Sequence, residues 1–152
     1  MENETPVLAT FRDGIRTIIL NRPRVLNAVN LAAGDLLVER LVEASDDADT
    51  RAVVITGAGR AFCAGDDIKC GEDLSEGIES RQHRALLLLR EMPKPTIASI
   101  HGHALGFGLD LALACDFRIV AADAKLGDVR AAHAIPVATG GTVLLPEVVG
   151  LP

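Results

Sequence analysis

Two kinds of hydrophobic pattern alternate along this chain: short apolar runs of strand length and longer segments with helical periodicity. Residues 7–11 and 15–20 are strand-like apolar runs, and the pair Asp13-Gly14 stands between them. An Asp-Gly pair flanked by such runs is a strong signal for a two-residue hairpin turn. The pattern therefore predicts a β-hairpin over this stretch.

Helical periodicity begins after Asn30, where apolar residues recur every three or four positions. Asparagine can accept a hydrogen bond from the first turn of a helix, so the pattern predicts a helix over residues 31–44. A second helix is predicted over residues 75–91. It is stopped by Pro93 and Pro95, because helices end at or before the residue preceding a proline.

The remaining pattern repeats the order of strand, loop and helix. Uninterrupted apolar runs predict strands at residues 52–56 and 96–100, buried on both faces as in a parallel sheet. The first strand leads into a loop over residues 57–72 that turns helical near Asp67. Further elements are predicted as a helix over 106–115, strands over 117–120 and 125–127, and a last helix from the glycine pair at 140–141 to about 149. Such units indicate a single α/β domain.

Composition narrows the classes of function. The chain has 152 residues, 49% hydrophobic and 24% charged, which is typical of a globular domain with a real core. A net charge of −6 argues against nucleic acid as the main partner, and no apolar run is long enough to span a membrane. Three cysteines without CxxC spacing indicate reduced thiols and no metal site. Together with the polar N-terminus, these features predict a cytoplasmic protein.

Two glycine-rich loops carry the strongest functional signal. They read RAFCAGDDIK over residues 60–69 and HGHALGFGLD over residues 101–110. A loop that enters a helix presents backbone N–H groups without intrahelical partners, and two such loops aimed at one point form an oxyanion hole. One loop alone is more simply explained as a tight turn, but two in one short chain favour a site. Neither has the third glycine of a dinucleotide-binding fingerprint, and the chain lacks a Walker A sequence and a G-x-S-x-G elbow.

The candidate side chains near these loops also have structural explanations. Asp110 lies early in an apolar helix, where a carboxylate either takes part in chemistry or caps the helix start. The sequence favours neither explanation. Arg130 and His133 fall in the loop after the strand at 125–127, and Arg22, Arg24 and Lys69 could contact phosphates. Scattered basic residues of this kind are more often solvated or salt-bridged.

A set of motifs occurs in a fixed order over nearly the whole chain. They are NRP at 21–23, LNA at 26–28, AVVITG at 52–57, FCAGDDIK at 62–69, KP at 94–95, GHALGFGLDLALACD at 102–116 and GGT at 140–142. In these motifs the chain resembles the enoyl-CoA hydratase/isomerase (crotonase) superfamily. The resemblance implies an α/β fold of the ClpP/crotonase type, a spiral of repeated ββα units. It does not single out one reaction, because this fold hosts many.

The resemblance also implies roles for individual residues. The backbone N–H groups of Asp66 and Phe107 would hold the thioester carbonyl of an acyl-CoA and stabilise its enolate. CoA would enter as part of the substrate, with no separate cofactor and no metal. The residues expected to contact it are Arg24, Val25, Leu26, Ala64, Gly65, Asp67, Ile68 and Lys69, with Lys69 near phosphate.

The chain departs from the family at the acid–base positions. Family hydratases use two glutamates around a water molecule. Asp110 matches the first position, and Arg130 occupies the second when the alignment is anchored on GGT. A guanidinium stays protonated and cannot be a general base, so hydration by two carboxylates is not expected. Asp110 alone could shuttle a proton in isomerisation or other enolate chemistry, and Asp128 or His133 could substitute for the missing carboxylate.

The resemblance further implies a helical C-terminal region that completes the acyl pocket and a trimer, which this chain is expected to lack. The leading prediction is an enoyl-CoA hydratase/isomerase-like enzyme acting on an acyl-CoA or enoyl-CoA thioester through an enolate. A homotrimer or hexamer is expected where the C-terminal region is present. The alternatives are a non-catalytic acyl-CoA-binding protein, a truncated family member without turnover, and an α/β domain whose glycines only make turns.

Overall fold

Strands and helices follow one another along the chain in the predicted order, with one additional strand, at residues 103–105, that was not predicted. The structure is a computed structural model that describes residues 5–70, 78–137 and 139–151. The strands in these residues are β1 (Val7–Arg12), β2 (Ile15–Leu20), β3 (Ala52–Gly57), β4 (Thr96–Ile100), β5 (His103–Leu105), β6 (Phe117–Val120) and β7 (Lys125–Gly127). The helices are α1 (Leu31–Asp46), α2 (Ile78–Arg90), α3 (Phe107–Ala114) and α4 (Gly141–Val149). No described helix is both long and apolar enough to cross a bilayer.

Five of the strands form one sheet in the order β1-β2-β3-β4-β6. β1 and β2 are antiparallel, and the other neighbours are parallel. Asp13 and Gly14 link β1 to β2 with φ values of 53° and 81°, the left-handed conformation that a type I′ turn requires. β5 and β7 form a separate two-stranded parallel sheet. The predicted hairpin and the predicted α/β architecture are confirmed.

The two faces of the sheet differ in burial. Along β3 and β4, buried residues alternate with half-buried ones, because successive side chains of a strand point to opposite faces. Val53, Ile55 and Ala98 belong to the same buried cluster as Leu37 of α1 and Leu111 of α3. The prediction that these strands are buried on both faces is wrong. Apolar residues also occupy the half-buried positions, so the sequence shows no alternation.

Helix boundaries follow the capping chemistry. Asn30 caps α1 by accepting a hydrogen bond from the Ala33 N–H at 3.1 Å, and α1 extends two residues past the predicted end. The predicted start of the second helix, residue 75, lies outside the described residues. The loop after β3 contains turns and two isolated β-bridges but no helix as far as Cys70, so the helical turn predicted near Asp67 does not form there. Single turns of 3-10 helix at Pro23–Val25 and Arg130–His133 were not predicted.

Candidate active site

Backbone hydrogen bonds hold the two glycine loops side by side. The Cys63 N–H donates to the His103 carbonyl, and the Leu105 N–H donates to the Cys63 carbonyl, each at 2.9 Å. The first loop therefore pairs with β5 as a short parallel strand would. On the opposite edge of the same loop, the Val29 N–H donates to the Gly65 carbonyl at 2.8 Å. The first loop thus lies between two neighbouring segments that fix its backbone.

The loops approach most closely at Gly65. This glycine has φ of +100°, and a Cβ atom built on it would lie 3.0 Å from the Leu105 carbonyl oxygen and 3.7 Å from the Phe107 amide nitrogen. Phe107 is the first residue of α3, and no described residue accepts a hydrogen bond from its N–H. Asp66 directly follows Gly65, so the backbone at Asp66 lies beside the backbone at Phe107. Their role as paired oxyanion donors stays a prediction.

A small cavity opens at this junction and continues into a wider groove. The cavity measures about 80 Å³ and the groove about 450 Å³. Ala64, Asp66, Ile68 and His133 line both spaces. The cavity is lined in addition by Gly65, Gly106, Val129, Arg130 and Ile135. The groove is lined in addition by Arg24, Val25, Leu26, Ala28, Arg60, Asp67 and Lys69. Every residue that the sequence assigned to CoA contact thus lines one of the two spaces.

The basic residues near the groove differ in what they contact. Arg22, which the sequence also offered as a phosphate contact, pairs with Asp67 at 2.8 Å and donates to the Ala28 carbonyl at 2.6 Å. Arg22 therefore holds the loop and neutralises Asp67. Arg24, Arg60 and Lys69 line the groove as cations. Sequence reasoning missed Arg60, because nothing in the sequence shows that it turns toward this space.

Behind the cavity lies a buried ion cluster formed by Arg130, Asp110, Asp128 and Thr139. Arg130 and Asp110 are 4% and 0% exposed, and Asp128 is 25% exposed. The guanidinium donates to the two Asp110 oxygens at 2.8 and 3.1 Å. It also donates to Asp128 at 2.6 to 3.1 Å and to the Thr139 hydroxyl at 2.9 Å. Thr139 in turn donates to Asp110.

Protonation states in the cluster are fixed by these contacts. Burial alone would lower the pKa of the Arg130 guanidinium, but its hydrogen bonds to Asp128 and Asp110 outweigh burial and raise that pKa above its ordinary value. The hydrogen bond from Arg130 lowers the pKa of the Asp128 carboxyl. Arg130 is therefore a permanent cation and Asp128 is its counter-ion. The cluster carries one net negative charge when both aspartates are ionised.

Asp110 lies in the first turn of α3, where its charge can complement the helix dipole, but it does not cap the helix. Gly106 occupies the N-cap position without a side-chain cap, so the capping explanation is wrong. The Asp110 carboxylate instead pairs with residues 20 and 29 positions later in the chain. Gly141 packs against it, and a Cβ atom there would collide with the carboxylate. A catalytic role for Asp110 stays a prediction.

A buried glutamine supports the first loop from the side. Gln82 of α2 is 3% exposed, and its side-chain amide donates to the Asp66 carboxylate. This contact ties the side chain of a predicted oxyanion residue to a neighbouring helix. Gln82 carries no signal in the sequence, since a polar residue on an amphipathic helix is expected to face solvent.

Comparison with known proteins identifies one family. The family described as enoyl-CoA hydratase/isomerase matches residues 10–151. The chain is 37% identical to crotonyl-CoA hydratase of Syntrophomonas wolfei over 95% of its length, and 35% identical to 1,2-epoxyphenylacetyl-CoA isomerase of Escherichia coli over 95% of its length. The crystal structure of an enoyl-CoA hydratase from Bacillus anthracis superposes with a TM-score of 0.89 at 37% identity, over 96% of this chain.

The chain belongs to the enoyl-CoA hydratase/isomerase family and has the crotonase fold. The match covers 57% and 58% of the two relatives and 59% of the solved structure. The chain thus spans a little over half the length of the proteins it matches. The family contains both hydratases and isomerases by name, so membership alone does not choose the reaction.

Proposed function

We propose that this protein binds an acyl-CoA or enoyl-CoA thioester and acts on it through an enolate held by the backbone N–H groups of Asp66 and Phe107. The observation that carries the proposal is the convergence of the two glycine loops at a cavity that continues into a groove with three basic residues. Backbone donors fixed in place before the reaction stabilise a developing oxyanion at no cost of reorganisation. CoA is part of the substrate in this proposal.

The sizes and charges of the two spaces support a placement of CoA in the groove and of the thioester in the cavity. The groove of about 450 Å³ can take part of a CoA moiety, with Arg24, Arg60 and Lys69 facing its phosphates. The cavity of about 80 Å³ has room for the thioester carbonyl and a few acyl atoms. Hydration by two carboxylates is not proposed, because Arg130 takes the place of the second carboxylate and is a permanent cation.

The test is exchange of the α-proton. The protein is incubated with a saturated acyl-CoA in deuterium oxide, and deuterium uptake is followed by mass spectrometry. Gly65→Ala introduces a side chain at a left-handed residue, 3.0 Å from the Leu105 carbonyl oxygen, and we expect exchange to fall at least tenfold. Gly127→Ala is the matched control, because a Cβ atom there meets nothing within 4 Å. Equal rates in both variants, or no exchange by the unaltered protein, would contradict the proposal.

A second candidate function is acyl-CoA binding without turnover. The specific observation in its favour is the Asp110–Arg130 contact, which engages both oxygens of the first acid–base position. Binding of acyl-CoA measured by calorimetry, together with no deuterium uptake, would establish this second function. Binding accompanied by uptake would exclude it.

Two further expectations concern the oligomeric state and the location in the cell. We propose a homo-oligomer, a trimer or hexamer, for the form that carries the C-terminal region of the family, and light scattering on that form tests it. The cytoplasmic location also stays a prediction.

A further inference from the structure

The Arg130 side chain has no hydrogen-bond donor left for a substrate. A guanidinium has five N–H donors. Nε donates to Asp128, one terminal nitrogen donates to Asp110 and Thr139, and the other donates to Asp110 and Asp128. Arg130 lines the cavity, yet it can neither take a proton nor bind an oxygen there without breaking this cluster. It forms part of the cavity wall.

Both carboxylates of the cluster are hydrogen-bonded to Arg130. Asp110 is fully buried and accepts from Arg130 on both oxygens and from Thr139 on one of them. Asp128 accepts from Arg130 on both oxygens. Neither aspartate lines the cavity or the groove. A substrate in the cavity is therefore separated from both carboxylates by the Arg130 side chain.

Two titratable residues line both the cavity and the groove, namely Asp66 and His133. The Asp66 carboxylate accepts a hydrogen bond from Gln82 of α2. His133 ends the 3-10 turn that Arg130 begins, and its side chain is exposed to solvent. Histidine is the side chain that most readily exchanges a proton near neutral pH. The charged residues that share these two spaces with His133 are Arg24, Arg60, Asp66, Asp67, Lys69 and Arg130.

We propose that His133 is the catalytic acid/base of this site and moves the α-proton of the bound thioester. The proposal rests on the function proposed above. A neutral His133 ring nitrogen takes the α-proton, the Cα–H bond breaks, and its electron pair forms the Cα–C double bond of the enolate. The negative charge then resides on the thioester oxygen between the Asp66 and Phe107 N–H groups. The imidazolium exchanges its proton with the deuterated solvent and returns a deuteron to Cα, which completes exchange. In an enoyl-CoA, return of the proton to a different carbon of the dienolate completes isomerisation.

The experiment compares two histidines under the same exchange assay. His133→Gln should lower deuterium uptake at saturating acyl-CoA about 100-fold or more, since general base catalysis contributes about 10² to 10⁴ in rate. His83→Gln is the matched control, because His83 is exposed on α2 and lines neither space. Circular dichroism confirms folding, and calorimetry separates a loss of binding from a loss of exchange.

Two further readouts distinguish proton transfer from a structural role. Uptake by the unaltered protein should fall as the pH is lowered, and His133→Gln should lose that dependence. Added imidazole should restore uptake to a His133→Ala variant. Uptake retained in His133→Gln, or uptake lost in Asp66→Asn but kept in His133→Gln, would overturn the assignment while leaving the proposed function intact. No uptake by the unaltered protein would overturn both.

Discussion

The paired glycine loops and the Asp110–Arg130 cluster meet at the same cavity, but different kinds of contact hold them together. The loops are held by backbone hydrogen bonds, such as those between Cys63 and β5. The cluster is held by side chains that all surround one guanidinium. A site built from backbone survives a change of side chain, whereas a site built from side chains changes its chemistry with a single residue.

The departure expected from the sequence, an arginine at 130, falls in the second of these regions. The roles assigned to the backbone N–H groups of Asp66 and Phe107 do not depend on side-chain type, because every residue but proline carries a backbone N–H. The second region depends on one side chain, since Asp110, Asp128 and Thr139 all contact Arg130. The oxyanion role of the first region stays a prediction, and the second region is an ion cluster.

The largest expected effect comes from Arg130→Met, which tests whether the cluster is structural. The substitution leaves the fully buried Asp110 carboxylate without its cation. Removing one partner of a buried ion pair costs about 3–5 kcal/mol in the free energy of unfolding, and urea denaturation would measure it. Arg12→Met is the matched control. The Arg12 side chain is 91% exposed, so its loss should change stability by less than about 0.5 kcal/mol.

A double variant sharpens the same test. Replacing both partners by apolar residues removes the buried charge together with its counter-ion, which is often close to neutral. Arg130→Met combined with Asp110→Leu should therefore be more stable than Arg130→Met alone. If the double variant is less stable than the single variant, the unpaired charge of Asp110 is not what destabilises Arg130→Met, and the description of the cluster as an ion pair fails.

A smaller effect is expected in the backbone-built region from Gly108→Ala. A Cβ atom at this position would overlap the Cys63 carbonyl oxygen and lie 2.8 Å from the Cys63 Cβ atom, so α3 and the first loop must move apart. Overpacking of this kind costs about 1–3 kcal/mol, and the movement should also lower deuterium uptake. Gly127→Ala should leave both quantities unchanged. A Gly108→Ala variant with full exchange would show that the close approach of the loops is not needed.

Local signals made most of the fold and the loop region predictable. The Asp13-Gly14 turn and the Asn30 cap each depend on residues close together in sequence, and the structure places both where they were expected. The two glycine loops lie side by side as expected, but the first does not turn helical near Asp67. The residues predicted to contact CoA also gather along one groove and its cavity. Backbone chemistry of this kind is visible in sequence, because particular residue types are required at particular positions.

The ion cluster was not predictable, because its partners are distant in sequence and have no fixed spacing. Asp110 meets Arg130 and Thr139 only after α3, β7 and the following turn have packed. The sequence offered capping or catalysis for Asp110 and did not offer an ion pair. Gln82 was missed for the same reason, since its contact with Asp66 needs α2 to lie beside the first loop.

The smallest expected effect is a change in how stability depends on pH. The hydrogen bond from Arg130 lowers the pKa of the Asp128 carboxyl below its ordinary value of 3.8 in the folded protein. The unfolded chain then binds more protons than the folded protein between the two pKa values, so this stabilisation is complete above about pH 4 and decreases as the pH falls. Hydrogen bonds from Thr50 and Arg16 likewise lower the pKa of Asp47 to about 2, which contributes a similar dependence elsewhere.

Asp128→Asn should therefore reduce the loss of stability between about pH 5 and pH 3 without abolishing it, because Asp47 remains. Urea denaturation at a series of pH values measures this slope. Asp13→Asn is the matched control, since the Asp13 side chain is 83% exposed and its replacement should leave the slope as it is. If Asp128→Asn has the slope of the unaltered protein, the charge of Arg130 is balanced by Asp110 alone. The side-chain region would then be a simple ion pair, and Asp128 would be available to the substrate after all.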